Sequence, residues 1–584
     1  LTGIIDIAGT YTPTSALTAN NTNNTVNFSS AGAQTIPTAA YATITNTGNG
    51  DRTLASSGAN SGVITISGAF APSSGTNTAT GSTVEYTGIS ASYVLNAFPY
   101  HNLKLNSTGS GVWALGSGVT LTVANDLTLA GTSTSSTLKV GNNTGTNTLN
   151  VSGNLLVQDK GILQVVTAST CTGATVNVTG GLTISGTGQI DVESVSSTTG
   201  VGIINVTGDF ASTATGTSSS GPVDWGATSA TCTDNAINIS GNFSKSGAGT
   251  FYTSATLAPK GFVFNKVGAQ TFSYAGANSD YNSYTVANTS TLQLLTGLTI
   301  SSLSGPSSSF TVNGTLDAGT FIINGGATNG SFILASGATL KSSNTNGIVS
   351  TTVGTISNTI ATRTFNDAAN YEFYGGAAVT NTSFPNSVMN NLTISNTAGV
   401  TQGGAITVNG NLTIASGAAF TTSANAIGLK GNWVNNGGTL TTSNTVTLNG
   451  TSAQSYTNTG TNTFNNLTLN NANGLLLNNN LNVGSALTLT AGKVTMGANN
   501  VTTGSISGSS TAYLITDGVG QFNITPPSAA TTIFPVGVSA SSYDPVSVNP
   551  TNSVAFSSNV KATANAGDYS PAINNFALAG PRQW

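Results

Sequence analysis

Acid–base chemistry at a glycosidic bond needs two carboxylates held a few ångström apart, and few residues here qualify. The three glutamates, Glu85, Glu193 and Glu372, lie far apart. The one close pair is Asp191 and Glu193 in QIDVESV, which strand alternation puts on one face. No basic residue or third acid stands beside them in the sequence, so they are expected to form a solvated strand edge. His101, the single histidine, lacks a G-x-S-x-G elbow and is expected to fill a variable position of a repeated strand. Asp317 and Asp517-Gly518 read as turn residues. No Cys-x-x-Cys pair, His-rich cluster or Gly-Gly-x-Gly-x-Asp repeat occurs. Catalytic residues, metal ligands and cofactors are therefore all assigned as none.

The elements that carry these side chains repeat. An apolar residue, a spacer, a Gly, a small polar residue and a large apolar residue recur as VSGNLLV from Val151, VTGGLTI from Val178, VTGDFAS from Val206 and ISGNFSK from Ile239. The phrase returns as VNGTLDA from Val312, VNGNLTI from Val408 and LKGNWVN from Leu429. Between such phrases apolar residues alternate with Thr, Ser or Asn, as in VTLTV from Val119, the period of half-buried strands. Helix-period segments with caps are missing. A chain that repeats one strand-and-turn unit is built by stacking. The expected fold is all-β: an elongated parallel β-solenoid of stacked coils, with Asn and Gly at corners that tolerate left-handed backbone.

Motif glycines give the coil length. Intervals of 27, 28 and 33 residues separate Gly153, Gly180, Gly208 and Gly241, and 21 separate Gly410 from Gly431. At roughly 25 residues per coil and about 4.8 Å per layer, the chain makes some twenty coils and a rod on the order of 100 Å. Cys171 and Cys232 each precede a motif glycine, Gly180 and Gly241, by nine residues. Gly208 lies between, so strict stacking sets the two thiols two coils apart, roughly 9–10 Å. A disulfide needs Cα atoms within about 7 Å. The 33-residue interval contains a loop able to close that gap, and an extracellular setting favours oxidation, so a Cys171–Cys232 bridge and two free thiols both stay open.

Charged residues are only 5% of the 584, with a formal net charge of -4, while 38% are hydrophobic. That combination is unlike a disordered chain. Thirteen scattered basic residues make no footprint for nucleic acid or an anionic membrane, and no run of about 18 apolar residues spans a bilayer, so neither partner is expected. Asn-x-Ser/Thr triplets such as Asn27-Phe28-Ser29 and Asn391-Leu392-Thr393 follow from composition. Thr-x-Thr columns that would suit an ice- or glycan-facing ladder do not recur at fixed spacing.

A longer unit overlies the coil. It opens on a Gly-Ala-Gln or Ser-Ala-Gln turn, in SAGAQTIP from Ser30, KVGAQTFS from Lys266 and GTSAQSYT from Gly450. It continues into an Asn-Leu-Thr strand, in NNLTISNTAG from Asn390, NNLTLNNANG from Asn465 and the divergent HNLKLNSTG from His101. In these repeats the chain resembles large secreted surface proteins of Gram-negative bacteria, of the filamentous-adhesin and autotransporter-passenger kind. The resemblance implies a secreted, extracellular or cell-surface protein acting in adhesion, biofilm or fibre formation.

Residues 25–500 are assigned to the solenoid. From Val501 the texture changes: Asp517-Gly518 between two strands reads as a hairpin, and Pro526-Pro527 and IFPVG follow. Residues 501–584 are therefore expected to form an antiparallel β-sandwich-like capping or linking module. At the other end, residues 1–24 carry Ile4, Ile5 and Ile7 in a short apolar strand ahead of the repeats. It pairs either with the first coil of its own chain or, by strand addition, with the next subunit. The chain begins at Leu1 without methionine, consistent with a removed secretion signal or a fragment.

The leading expectation is a non-enzymatic structural protein, a head-to-tail homopolymer joined by terminal strands. An adhesin that contacts glycans or abiotic surfaces through a solenoid stalk is the alternative, and a polysaccharide-acting enzyme a minor one.

Overall fold

The computed structural model describes residues 3–11, 18–19, 24–58, 62–90, 92–142, 145–167, 172–194, 200–216, 221–226, 234–252, 260–275, 282–300, 308–326, 330–349, 354–382, 384–524, 531–548 and 558–560. The fold is an all-β parallel solenoid of about 21 stacked coils, with no α-helix among the described residues. It divides into two compact units, one of Leu1–Thr315, Ile323–Ile333 and Thr359–Arg363, the other of Leu316–Ile322, Leu334–Asn358 and Thr364–Trp584.

In the first unit each regular coil contributes three strands, one to each of three parallel ladders. Asn147–Val151, Leu155–Val157 and Gly161–Val166 make one coil, and each pairs with its equivalent in Ala174–Val178, Leu182–Ile184 and Gln189–Glu193. Ladder partners sit one glycine interval apart, so Val151 lies beside Val178 and Val178 beside Val206. Alternation then decides the core. Leu103, Leu127, Leu155, Leu182, Phe210, Phe243 and Phe272 stack in one inward column, all buried. Phe243 lies parallel to Phe210 and to Phe272, with ring centroids 5.3 and 4.8 Å away. Stacking of this kind adds to the burial of large apolar side chains.

The motif glycines do not owe their place to left-handed backbone. Gly153, Gly180, Gly208, Gly241, Gly410 and Gly431 are absent from the positive-φ positions. They are stacked: a Cβ on Gly180 would lie 2.5 Å from the Gly153 carbonyl oxygen, and one on Gly208 2.6 Å from that of Gly180. The corners pass so closely that only hydrogen fits between them. The small polar residue that follows has its own task. Asn154 N–H donates to Asp126 Oδ1 at 2.7 Å, Gly181 N–H to Asn154 Oδ1 at 2.9 Å, and Asn242 N–H to Asp209 Oδ1 at 2.7 Å. Each side chain thus satisfies the corner amide of the next coil, which the ladders leave unpaired.

The second unit repeats the scheme. Leu392–Ile394, Leu412–Ile414 and Trp433–Asn435 follow one another in one ladder, and Ile406–Val408, Ile427–Leu429 and Thr445–Leu448 in another. Parallel pairing runs on past residue 501: Val501–Ser507 pairs with Leu481–Ala491 and with Phe522–Ile524, and Leu514–Ile515 with Val536–Gly537. Asp517-Gly518 is consequently not a hairpin turn. It is a solenoid corner, because the strands on its two sides belong to different ladders. Among the described residues, antiparallel pairing in this stretch joins Phe522–Ile524 with Ser558–Val560 and Thr532–Phe534 with Val546–Val548, with isolated bridges at Ser509 with Ala512 and Ser539 with Ser542.

Candidate functional site

The repeated glutamine is a clamp between coils. Gln34 Nε2 donates to the carbonyls of Ile7 and Gly9 at 2.7 and 2.8 Å, and its Oε1 accepts from Ser30 N–H at 3.1 Å. Gln270 makes the same set with Ile239, Gly241 and Lys266, and Gln454 with Leu429, Gly431 and Gly450. Where Arg52 takes the place beside Gln34 in the ladder, its guanidinium grips the carbonyls of Phe28 and Ser30 at 2.8 and 2.9 Å. Sequence reading singled out the motif without finding this job.

The clamp identifies the amino-terminal strand. Ile7 and Gly9 stand to Gln34 as Ile239 and Gly241 stand to Gln270, so Ile4–Ile7 is itself a copy of the coil phrase. Ile4–Ile7 pairs in parallel register with Thr25–Phe28. Gly3 and Ile7 carbonyls accept from Thr25 and Ser29. Parallel bonding therefore uses alternate residues, and Ile4 and Asp6 turn their backbone groups to the outer edge. Among the described residues no strand covers that edge, and Ile4 and Ile5 are 73% and 46% exposed. A recess of about 390 Å³ lined by Ile5 to Tyr11 adjoins it. Cys171 and Cys232 lie outside the described residues.

The acidic pair behaves differently from expectation. Asp191 and Glu193 share the face that alternates with core residues Ile190 and Val192, yet they are 8% and 0% exposed, so they form no solvated edge. A third acid is present: Asp224 is the ladder partner of Asp191 in the next coil. Gln164, the partner on the other side, donates from Nε2 to Asp191 Oδ2 at 3.1 Å. Asn235 Nδ2 donates to Glu193 Oε2 at 2.7 Å, and Gly226 N–H to Asp224 Oδ1 at 3.2 Å. Burial, then the neighbouring Asp224, push Asp191 up to about 7 against the donation from Gln164, with Glu193 adding to the rise. Burial lifts Asp224 to about 6, offset in part by Gly226. Asp224 stands 33 residues after Asp191, the Gly208-to-Gly241 interval, a signal that sequence reading left unused.

The remaining candidates have structural partners. Glu85 pairs with Lys104 at 3.0 Å and Glu372 with Lys341 at 3.3 Å, each across a ladder. Asp317 accepts from Tyr374 Oη at 2.5 Å, and Asp517 from Gly497 N–H at 3.2 Å. His101 precedes strand Asn102–Ser107, and its carbonyl accepts from Asn125 N–H. The sequon amide of Asn27 donates to Asp6 at 3.0 Å and that of Asn391 to Asn370 at 2.8 Å. Among the described residues no group of three His, Cys, Asp or Glu side chains is arranged to hold a metal ion.

Threonine columns, not expected from the spacing, do form in the second unit. Thr401, Thr421, Thr441 and Thr463 stand in one ladder column, with Thr439 and Thr461 beside it. Thr439, Thr441, Thr461 and Thr463 help line a shallow groove of about 310 Å³. Thr401, Thr421 and Thr441 follow one another at intervals of 20 residues and Thr463 after 22, a regularity that sequence reading left unused.

Comparison with protein-family models, with curated proteins and with solved structures gives no match.

Proposed function

We propose that this chain is an extracellular structural protein, a subunit of a self-assembling surface or biofilm-matrix filament joined by terminal strand addition. The observation that carries the reading is the Ile4–Ile7 strand, held in coil register by Thr25–Phe28 while, among the described residues, no strand lies on its other edge and Ile4 and Ile5 are exposed. Such an edge takes another strand readily, and a second copy supplies strands of matching register and alternation. The rest of the surface suits assembly. It is rich in neutral amides and hydroxyls, and a formal charge of -4 over 584 residues gives little mutual repulsion. The carboxylates described above have structural partners within the fold, which supports a role without catalysis.

Electron microscopy of the purified protein tests this, with Ile4→Pro as the probe. Proline at position 4 removes an outer-edge N–H and spares the bonds made by Gly3 and Ile7. Filaments formed by the parent chain and absent from Ile4→Pro support strand-linked assembly. Dispersed particles of the parent at high concentration overturn it.

The threonine groove favours a second reading, a cell-surface adhesin that contacts a glycan through neutral hydroxyls. Glycan-array binding lost on changing Thr441 and Thr463 to Val would favour that reading over the filament.

A further inference from the structure

The geometry points to a proton-operated latch: Asp191, stacked against Asp224 of the adjacent coil, keeps its proton in mild acid and loosens the two coils when it leaves. This inference is independent of the assembly reading.

The argument begins with the ladder. Parallel in-register pairing places equivalent residues about 4.8 Å apart, so backbone pairing holds Asp191 and Asp224 as near neighbours on one face of the ladder. Asp191 is 8% exposed, which denies it the water that would screen a second negative charge. Two carboxylates so placed do not both ionise freely, and the pair retains a proton to higher pH than either acid alone.

The neighbouring groups preserve this arrangement. On the strand before, Gln164 donates an amide to Asp191 but brings no charge. Lys139 stands one strand further along the same column, with Gln164 between it and Asp191. On the same strand Glu193 adds negative charge, and its Oε2 is held by Asn235. On the strand after, Asp224 has Tyr252 as its next ladder partner. The directions agree with the geometry: both acids titrate high, Asp191 the higher.

The sign follows. A carboxyl whose folded pKa lies above its unfolded value of about 3.9 stabilises the fold fully below that value, and the contribution is lost as pH rises through the folded value. The coils around Gln189–Glu193 and Val223–Asp224 are therefore tightest in acid and loosen between about pH 4 and about 7.

Hydrogen exchange with mass spectrometry on the full chain, corrected for the intrinsic pH dependence of amide exchange, reads this directly. For peptides covering residues 189–193 and 223–224 the opening constant is expected to rise by up to about tenfold per pH unit across that window and then level off. Peptides covering Thr83–Tyr86 serve as the reference and stay flat. Asp191→Asn, which keeps the shape and removes the charge, reduces the rise to the smaller one that Asp224 leaves; Asp224→Asn provides a second reading, ending the rise at lower pH, if the first variant folds poorly. Infrared difference spectra add an independent readout: a protonated-carboxyl band present in the parent at pH 6 and weakened in Asp191→Asn. A parent segment equally protected at pH 5 and pH 8, or the full parental rise retained in both variants, overturns the latch.

Discussion

Gln454 reaches back one coil to Gly431, its Nε2 donating to the glycine carbonyl at 2.6 Å while its Oε1 accepts from Gly450 N–H at 3.0 Å. The side chain is 2% exposed, so each group it satisfies would otherwise be a buried polar atom without a partner. Gln454→Leu keeps the volume and removes four hydrogen bonds, counting those to Leu429 and Asn471. The expected loss is roughly 2–4 kcal/mol in chemical denaturation. A loss under about 0.5 kcal/mol would show that the clamp is incidental.

The stacked glycines make a sharper contrast. A Cβ on Gly208 would sit 2.6 Å from the Gly180 carbonyl oxygen, whereas one on Gly404 meets nothing within 4 Å. Neither position has positive φ. Gly208→Ala should therefore destabilise by about 2 kcal/mol or more by forcing two coils apart. Gly404→Ala should be neutral or stabilising by a few tenths, through reduced freedom of the unfolded chain. Thermal melts of the two variants side by side decide it, and equal shifts would remove close approach as the reason for the motif.

How much of this was legible in the sequence depends on whether the signal is local. Gly153, Gly180 and Gly208 announce their stacking because a close backbone approach demands glycine at the same corner of successive coils. Asp517-Gly518 misled for the converse reason: the same dipeptide suits a two-residue hairpin and a solenoid corner, and only the distant partners of the flanking strands tell them apart. Alternation placed Asp191 and Glu193 on one face but could not say what lies over it. Asp224 escaped notice because its coil is 33 residues long, so its alignment with Asp191 is lost unless the motif intervals are applied to every position.

The corner amides invite a substitution that the chain has itself made. Asn411 Oδ1 accepts from Asn432 N–H at 2.9 Å, as Asp126 Oδ1 accepts from Asn154 N–H in the first unit. Asn411→Ala should lose about 0.5–1.5 kcal/mol, the net worth of one exposed hydrogen bond. Asn411→Asp should retain near-parental stability at pH 7, since a carboxylate accepts the same N–H. Urea titration of both variants checks the pair, and an Asp variant as weak as the Ala variant contradicts the ladder.

Phe243 tests how far a defect spreads. Its ring packs parallel between Phe210 and Phe272, in a column that becomes leucine from Leu182 backwards. The column therefore tolerates leucine: Phe243→Leu should cost about 1–1.5 kcal/mol, and Phe243→Ala about 3–5 kcal/mol because the cavity cannot collapse between fixed backbones. Stacked repeats contact chiefly their neighbours, so the loss should stay local. Hydrogen exchange should accelerate in Phe210–Ser212 and Gly268–Tyr274, the strands paired with Phe243–Lys245, and remain parental in Thr83–Tyr86. Uniform acceleration throughout the first unit would mean that its coils unfold together and that the nearest-neighbour account of its stability is wrong.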